Sequence, residues 1–423
     1  MQPNIIEGDS IGRVFGQVGS PSPIAGVRGR EGAIGFDDPM LGRHVLFLGG
    51  IGTGKTVGIT HLVDSLRTQA TRDDIFVFFD SKGDFIEEFF RPGDVSLSAT
   101  GDFPGAQIWN VFAELTDGPS LTEQVAEICH SLVGEVDGEG DRNKIWQNMA
   151  ADLLGALITA YKRSGKPFTN QDIRLMSDSL TVAQMRRIIE PHNDLRGTLQ
   201  YIAKDDSNTT ISVLIFLQQA IRRVFTDSFR QPGDFSVGRF LRAKGGRSLF
   251  LEYDLARGAS LAPVYRALLD LALRESLGRE RAPGRVFVIL DEFSLLPKLA
   301  HIDAGLNFGR SLGLRFVVGT QNVGQVMQAY GEGLGGSILA GFGTVFSFRL
   351  FDAPSRDYVV RRFGRNRRVV RYDAAVKNRG IGEQVVEGNV IEDWDLSRLG
   401  VGQCVVGLPD GPPQLFAFAP PRR

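Results

Sequence analysis

Cysteine is scarce in this sequence. Cys129 and Cys404 are the two present, far apart, which excludes a disulfide framework and a cysteine metal motif and fits a reducing cytoplasm. Long apolar runs are also missing. The best candidate, Gly333–Phe348 between Glu332 and Arg349, is glycine-rich and short of the ~20 residues a membrane helix needs, so it reads as buried core. Residues Met1–Gly12 are polar and acidic, without the basic start and apolar run of a secretory leader. The expected location is therefore cytoplasmic, with membrane association through a partner. Excess charge of one sign is absent too: the formal net charge is −1. A wholly basic surface is excluded, and any nucleic-acid site must be a local patch or a pore lining.

What is present is ordinary globular material. The 423 residues are 42% hydrophobic and 23% charged, enough for two or three domains. Short apolar runs alternate with helical patterns, the mark of a parallel sheet wrapped by helices. Strands are expected at Val45–Leu48, Ile75–Phe79, Leu249–Leu251, Val286–Leu290, Arg315–Val318 and Thr344–Phe348. Gln403–Val406 and Leu415–Phe418 flank a Pro-Asp-Gly-Pro turn and read as a closing hairpin.

Between Ser120 and about Gln231 strand patterns almost vanish. Ser120 with Glu123, and Thr181 with Gln184, have capping-box spacing ahead of apolar helical stripes. Trp146, Met149, Leu153, Leu157 and Tyr161 form another stripe, read as helix core. The expected organisation is an α/β motor domain over residues 1–118 and 233–423, interrupted by an all-α domain over residues 119–232.

The sharpest signal is Gly49-Gly50-Ile51-Gly52-Thr53-Gly54-Lys55-Thr56, a G-x-x-x-x-G-K-[ST] loop between an expected strand and an expected helix. Its glycines let backbone N–H groups turn inward toward a β-phosphate. Lys55 would reach the β- and γ-phosphates of ATP, and the Thr56 hydroxyl would ligate Mg²⁺. Asp291-Glu292 follows the apolar run Val286–Leu290, at the strand end where ligands bind in open α/β sheets. Asp291 would hold the Mg²⁺ shell, and Glu292 would polarise the attacking water. The strand expected at Arg315–Val318 leads to Gln321, an amide placed to touch the γ-phosphate or the water and report hydrolysis.

Taken together these residues resemble the coupling ATPases of type IV secretion and conjugation (TraG/TrwB-like), within the HerA–FtsK class of ring translocases. The resemblance rests on the phosphate loop, Asp80-Ser81-Lys82-Gly83-Asp84, Trp109-Asn110, Leu290-Asp291-Glu292-Phe293, Gly309-Arg310-Ser311-Leu312-Gly313-Leu314 and Gly319-Thr320-Gln321-Asn322, and covers nearly all of Ile34–Pro409. It implies a RecA-like P-loop fold with a mainly parallel central sheet and an inserted all-α domain. It also implies a hexamer around DNA, with relaxase or secretion-channel components as partners. Arg310 occupies the position of the arginine that completes a neighbour's nucleotide site; read without the resemblance, it would be a surface arginine at a helix C-terminus. Typical members carry an N-terminal membrane anchor, and none is visible here.

Six arginines lie between Arg361 and Arg371, and read either as a phosphate-tracking or subunit surface or as a solvated loop and helix face paired with acids. The acidic stretch Glu135–Asp141 reads as a solvated loop. The expected function is an ATP-driven DNA translocase of the coupling type. The alternatives are a nucleotide-switched docking platform for a protein–DNA complex, and a packaging, repair or defence motor.

Overall fold

The computed structural model describes residues 4–133, 141–278, 282–295, 298–373 and 381–420. In chain order the main strands are β1 (Val45–Leu48), β2 (Ile75–Asp80), β3 (Val95–Ser98), β4 (Arg247–Glu252), β5 (Val286–Leu290), β6 (Leu314–Thr320), β7 (Thr344–Ser347), β8 (Gln403–Gly407) and β9 (Gln414–Ala417). The main helices are α1 (Lys55–Thr68), α2 (Asp84–Phe89), α3 (Leu121–Val133), α4 (Asp141–Arg163), α5 (Asn208–Val224), α6 (Gly258–Leu277) and α7 (Val323–Ala340).

One compact unit comprises Met1–Asp74, Gly284–Lys298 and Ile302–Arg423. Its main strands lie in the order β9-β8-β7-β1-β6-β5. The four from β7 to β5 run parallel, β8 and β9 continue the sheet as the expected antiparallel hairpin, and the short strand Gly12–Arg13 pairs beyond β9. Every residue of β1, β5, β6 and β7 is buried. Burial on both faces explains why these strands read as unbroken apolar runs without alternation. Phe47 stacks on Phe346 with ring centroids 4.7 Å apart, and Phe348 on Phe418 at 5.7 Å, tying the sheet centre to the C-terminal hairpin. The register aligns the strand ends: Leu290 faces Val318, Thr320 faces Leu48, and Ser347 faces Leu48. The loops after β1, β5, β6 and β7 therefore leave the sheet at one edge.

Several strands of this unit were not anticipated. Gly16–Gly19, Ala25–Arg28 and Gly32–Phe36 form a small sheet, and Asn4–Glu7 pairs with Arg365–Asp373, which pairs with Ile381–Asn389. Glycines and arginines mask their apolar pattern. The arginine-rich segment is thus the end of a helix (Ala353–Phe363), a turn at Gly364 with φ 76°, and then a strand. The run Gly333–Phe348 divides between the end of α7 and β7. Gly335, Ile338 and Leu339 are buried, whereas Leu334 is exposed. Among the described residues no helix is long and apolar enough to cross a membrane.

The second unit comprises Ile75–Pro283 with Leu299–His301. Here β2, β4 and β3 run parallel in that order. Between residues 121 and 230 the described elements are all helical: α3 packs on α4, α4 on α5, and α6 on both α3 and α5. The Thr181–Gln184 capping box forms as expected. Around Ser120 the bonds are different from the expected box. Gln124 Nε2 donates to the hydroxyls of Ser120 (2.8 Å) and Thr116 (2.7 Å), a donation that an ionised carboxylate cannot make. The stretch Glu135–Asp141, apart from Asp141, lies outside the described residues.

Buried polar side chains fasten the start of the helical segment. Trp109 Nε1 donates to Glu114 (2.9 Å), which also accepts from the Val237 and Gly238 N–H groups and the Ser236 hydroxyl. Asn110 donates to the carbonyls of Phe168 and Gly233, while Asn170 donates to those of Trp109 and Phe229. Removing any of these would strand a buried partner, which typically costs ~1–3 kcal/mol. The Trp109-Asn110 pair is therefore structural glue in this chain.

Candidate nucleotide site

The loop after β1 is shaped by its glycines. Gly52 and Gly54 have φ of 72° and 107°, backbone that side-chain-bearing residues rarely adopt. A Cβ at Gly50 would overlap the Phe351 ring, and one at Gly49 would crowd Phe348. Thr53 Oγ1 donates to Gly50 O at 2.8 Å, and its carbonyl accepts from Gly402 N at 2.9 Å, so the loop is braced from inside and from the start of β8. Lys55 Nζ donates to the carbonyls of Gly49 (2.6 Å) and Gly50 (3.1 Å), which holds the ammonium over the loop. The helix α1 begins at Lys55, and its N-cap, Gly54, offers no side-chain cap to the first N–H groups. Those donors and the helix dipole favour an anion at this point. Ile51 is the exposed tip.

The acidic strand end meets this loop. Thr56 Oγ1 lies 3.3 Å from Asp291 Oδ1, across 235 residues of chain. Asp291 is buried. The next strand approaches closely enough that a Cβ at Gly319 would overlap the Asp291 carbonyl. Glu292 is held at both oxygens: Oε1 accepts from the Ser294 hydroxyl (2.6 Å), and Oε2 accepts from Gln321 Nε2 (2.8 Å). Asn322 then caps α7 by accepting from Gln325 N at 2.9 Å. Register brings Lys55, Thr56, Asp291, Glu292 and Gln321 to one edge.

Arg310 lies elsewhere. It is exposed in the short turn Gly309–Leu312 that precedes β6, at the opposite edge of the sheet. The seven residues of β6 separate that edge from Gln321, about 20 Å at the usual strand rise. Arg315 Nη1 donates to the Arg310 carbonyl at 2.9 Å and also pairs with Asp38, fixing the turn. Beside it His44 is buried, with Nε2 3.1 Å from Leu306 O and Nδ1 accepting from Phe316 N. Burial, with Arg315 and Arg310 nearby, lowers its pKa to about 4.

Two side chains beside the phosphate loop escaped the sequence reading. Arg349 carries its guanidinium 5.2 Å from the Phe351 ring centroid, and its carbonyl accepts from Gly50 N. Its Nε is buried without a partner, while Phe351 is 62% exposed. An aromatic four residues past a buried strand was the signal available in the sequence. Of the arginine cluster, Arg365, Arg367 and Arg368 pair with Glu387, Glu7 and Glu392, and Arg362 donates to the Phe342 carbonyl. Three of the six arginines thus face a carboxylate of the same chain.

Comparison with known proteins finds relatives in sequence and in fold. The chain is 23% identical over 311 residues to the coupling protein TraD of Escherichia coli (strain K12), covering 71% of this chain and 41% of that protein. It is 23% identical over 269 residues to the probable conjugal transfer protein TraG of Sinorhizobium fredii (strain NBRC 101917 / NGR234), covering 58% and 41%. It therefore spans about two fifths of the length of these relatives. Among solved structures, the bacterial conjugative coupling protein TrwBdeltaN70 with sulphate superposes with a TM-score of 0.78 at 21% identity, over 98% of this chain and 94% of that one. The plasmid coupling protein TrwB in complex with ADP and Mg²⁺ gives 0.77 at 21% identity, over the same shares. The family model for the type IV secretion-system coupling protein DNA-binding domain matches residues 31–393, and by that match the chain belongs to this family.

Proposed function

We propose that this chain is an Mg²⁺-dependent ATPase of the conjugative coupling type, which uses nucleotide hydrolysis to move DNA. The observation that carries this reading is the meeting of Lys55 and Thr56 with Asp291, Glu292 and Gln321 at one sheet edge. The Thr56 hydroxyl and Asp291 carboxylate fit the cation. They are hard oxygen donors 3.3 Å apart, near the ~3 Å between adjacent ligands of an octahedral Mg²⁺ with ~2.1 Å bonds. When bound, the ion would offset charge on the phosphates.

The chain's own groups do the rest. The inward N–H groups and Lys55 bind the phosphates. Glu292, gripped at both oxygens, orients the attacking water and takes its proton. Gln321 couples that carboxylate to β6 and α7, so a change at the phosphate is passed to the fold. Phe351, beside Gly50, offers a face for the base, and Arg349 a cation next to it.

Arg310 is too far from its own loop to act there, and we assign it to the neighbouring subunit of a ring. The family of coupling-protein DNA-binding domains supports DNA binding, and a relaxase or secretion-channel component is the partner that the resemblance implies. The helices over residues 119–232, read as an inserted domain, are the surface proposed for such a partner. The direct test is the ATPase rate with and without single- and double-stranded DNA, measured alongside oligomer mass. A turnover that DNA does not stimulate would instead favour a nucleotide-switched platform.

A further inference from the structure

A cavity of about 550 Å³ opens in the second unit, and no residue of the phosphate loop lines it. It lies past the C-terminal ends of β2, β3 and β4, where open parallel sheets hold ligands. Ala99, Phe103, Tyr253 and Leu255 give it apolar walls. Ser98 and Thr100 add hydroxyls, and Lys82, Asp102 and Asp254 stand around it as charged groups.

The unusual member of the lining is Glu252. It is 3% exposed, and its Oε1 has no hydrogen-bond partner. Its strand neighbour Asp80 gives no help. Both Asp80 oxygens are occupied by backbone N–H groups, those of Lys82, Gly83, Phe85 and Ile86. The Tyr265 hydroxyl donates to the Glu252 backbone carbonyl. A buried carboxyl left unsatisfied in a cavity is costly, and a ligand that supplies donors relieves that cost.

We propose that this cavity binds an alkyl cation, a guanidinium or ammonium group on an apolar stem, with Glu252 as its counter-ion. Apolar walls suit the stem, and a buried carboxyl with a partnerless oxygen suits the head. Asp102 and Asp254 outnumber Lys82 around the cavity, so the approach is acidic on balance. Burial and the adjacent Asp80 raise the Glu252 pKa to about 9, so it carries a proton at neutral pH. Binding then follows a balanced exchange: the cation enters, the Glu252 O–H bond breaks, the proton leaves to solvent, and an ion pair remains. Affinity should rise about tenfold per pH unit up to about pH 9, because one proton is released per cation bound.

Isothermal titration calorimetry on the full chain tests this with three probes. Agmatine represents a free cation, acetyl-Gly-Arg-Gly-amide a basic polypeptide side chain, and n-butylurea a neutral shape control. Saturable binding of agmatine or of the peptide, with one proton released between pH 6.5 and 8.5 in buffers of different ionisation enthalpy, supports the proposal. Whichever binds more tightly identifies the source of the cation. Glu252→Gln keeps the shape of the protonated acid, so the protein should fold, as circular dichroism would verify. It should weaken binding at least tenfold and abolish proton release. Absence of binding by both cations, binding without proton release, equal binding by n-butylurea, or unchanged affinity in folded Glu252→Gln overturns it.

Discussion

Gln321 Nε2 donates to Glu292 Oε2 at 2.8 Å, joining the ends of two parallel strands through one amide–carboxylate bond. The Ser294 hydroxyl holds the other oxygen, so Glu292 has a fixed orientation in the folded chain. If Glu292 orients water, Glu292→Gln should bind ATP with little change in affinity and hydrolyse it about 10²–10⁴ times more slowly. Gln321→Ala should lower kcat more than it raises KM, because it frees a group that acts during the reaction. Steady-state rates with parallel binding of a fluorescent ATP analogue provide the check; near-parental kcat in both variants removes the pair from the mechanism.

Gly319 tests the closeness of the strands themselves. Its α-carbon has room for no side chain beside the Asp291 carbonyl. Gly319→Ala should push Asp291 away from Thr56 while costing about 1–3 kcal/mol of stability, as overpacking does. The expected result is a folded protein that needs more Mg²⁺ for half-maximal turnover. An unchanged Mg²⁺ titration would mean that Asp291 does not depend on this contact.

Arg310 stands at the far edge of the sheet from Lys55, so any catalytic role must be played in a neighbour. Arg310→Ala should bind ATP and lose about 10³-fold or more in turnover. Mixing it with Lys55→Ala should restore partial activity, since some interfaces then join an intact loop to an intact arginine. Parental activity should also rise more than linearly with protein concentration. Co-assembled mixtures that stay inactive would argue against action in trans.

His44 predicts a pH dependence of stability. In the folded chain it stays neutral down to about pH 4, whereas unfolded histidine takes up a proton near the ordinary value of 6.5. Below pH 6.5 the unfolded state therefore binds the extra proton, and stability falls as pH drops toward 4. The slope contributed is about 1.4 kcal/mol per pH unit at most. His44 has φ 60°, which asparagine tolerates, so His44→Asn is the matched control. Its urea-unfolding stability should fall less steeply between pH 6.5 and 4 than that of the parent, and parallel slopes would rule the histidine out.

Much of the site was legible because its chemistry is local in sequence. The phosphate loop needs glycines, a lysine and a threonine at fixed spacing, since consecutive backbone must wrap one anion. Asp291 and Gln321 could be found because each follows an apolar run, and parallel strands buried on both faces announce themselves that way. The helices between residues 121 and 230 were legible by period, although Gln124 rather than Glu123 completes the bonds around Ser120.

Tertiary structure decided the rest, for one physical reason: strand order and register choose which distant residues meet. That register places Thr56 against Asp291 and Gln321 against Glu292, and sends Arg310 to the opposite edge. It sets Phe351 beside Gly50, a neighbour no spacing rule connects to it. It pairs Arg367 with Glu7 and Arg368 with Glu392, which the sequence left open between a phosphate-tracking surface and a face paired with acids. Glu252 shows the limit most clearly. In sequence it is an unremarked acid ending an apolar strand. Only the fold buries it against Asp80 at a cavity and leaves one oxygen without a partner.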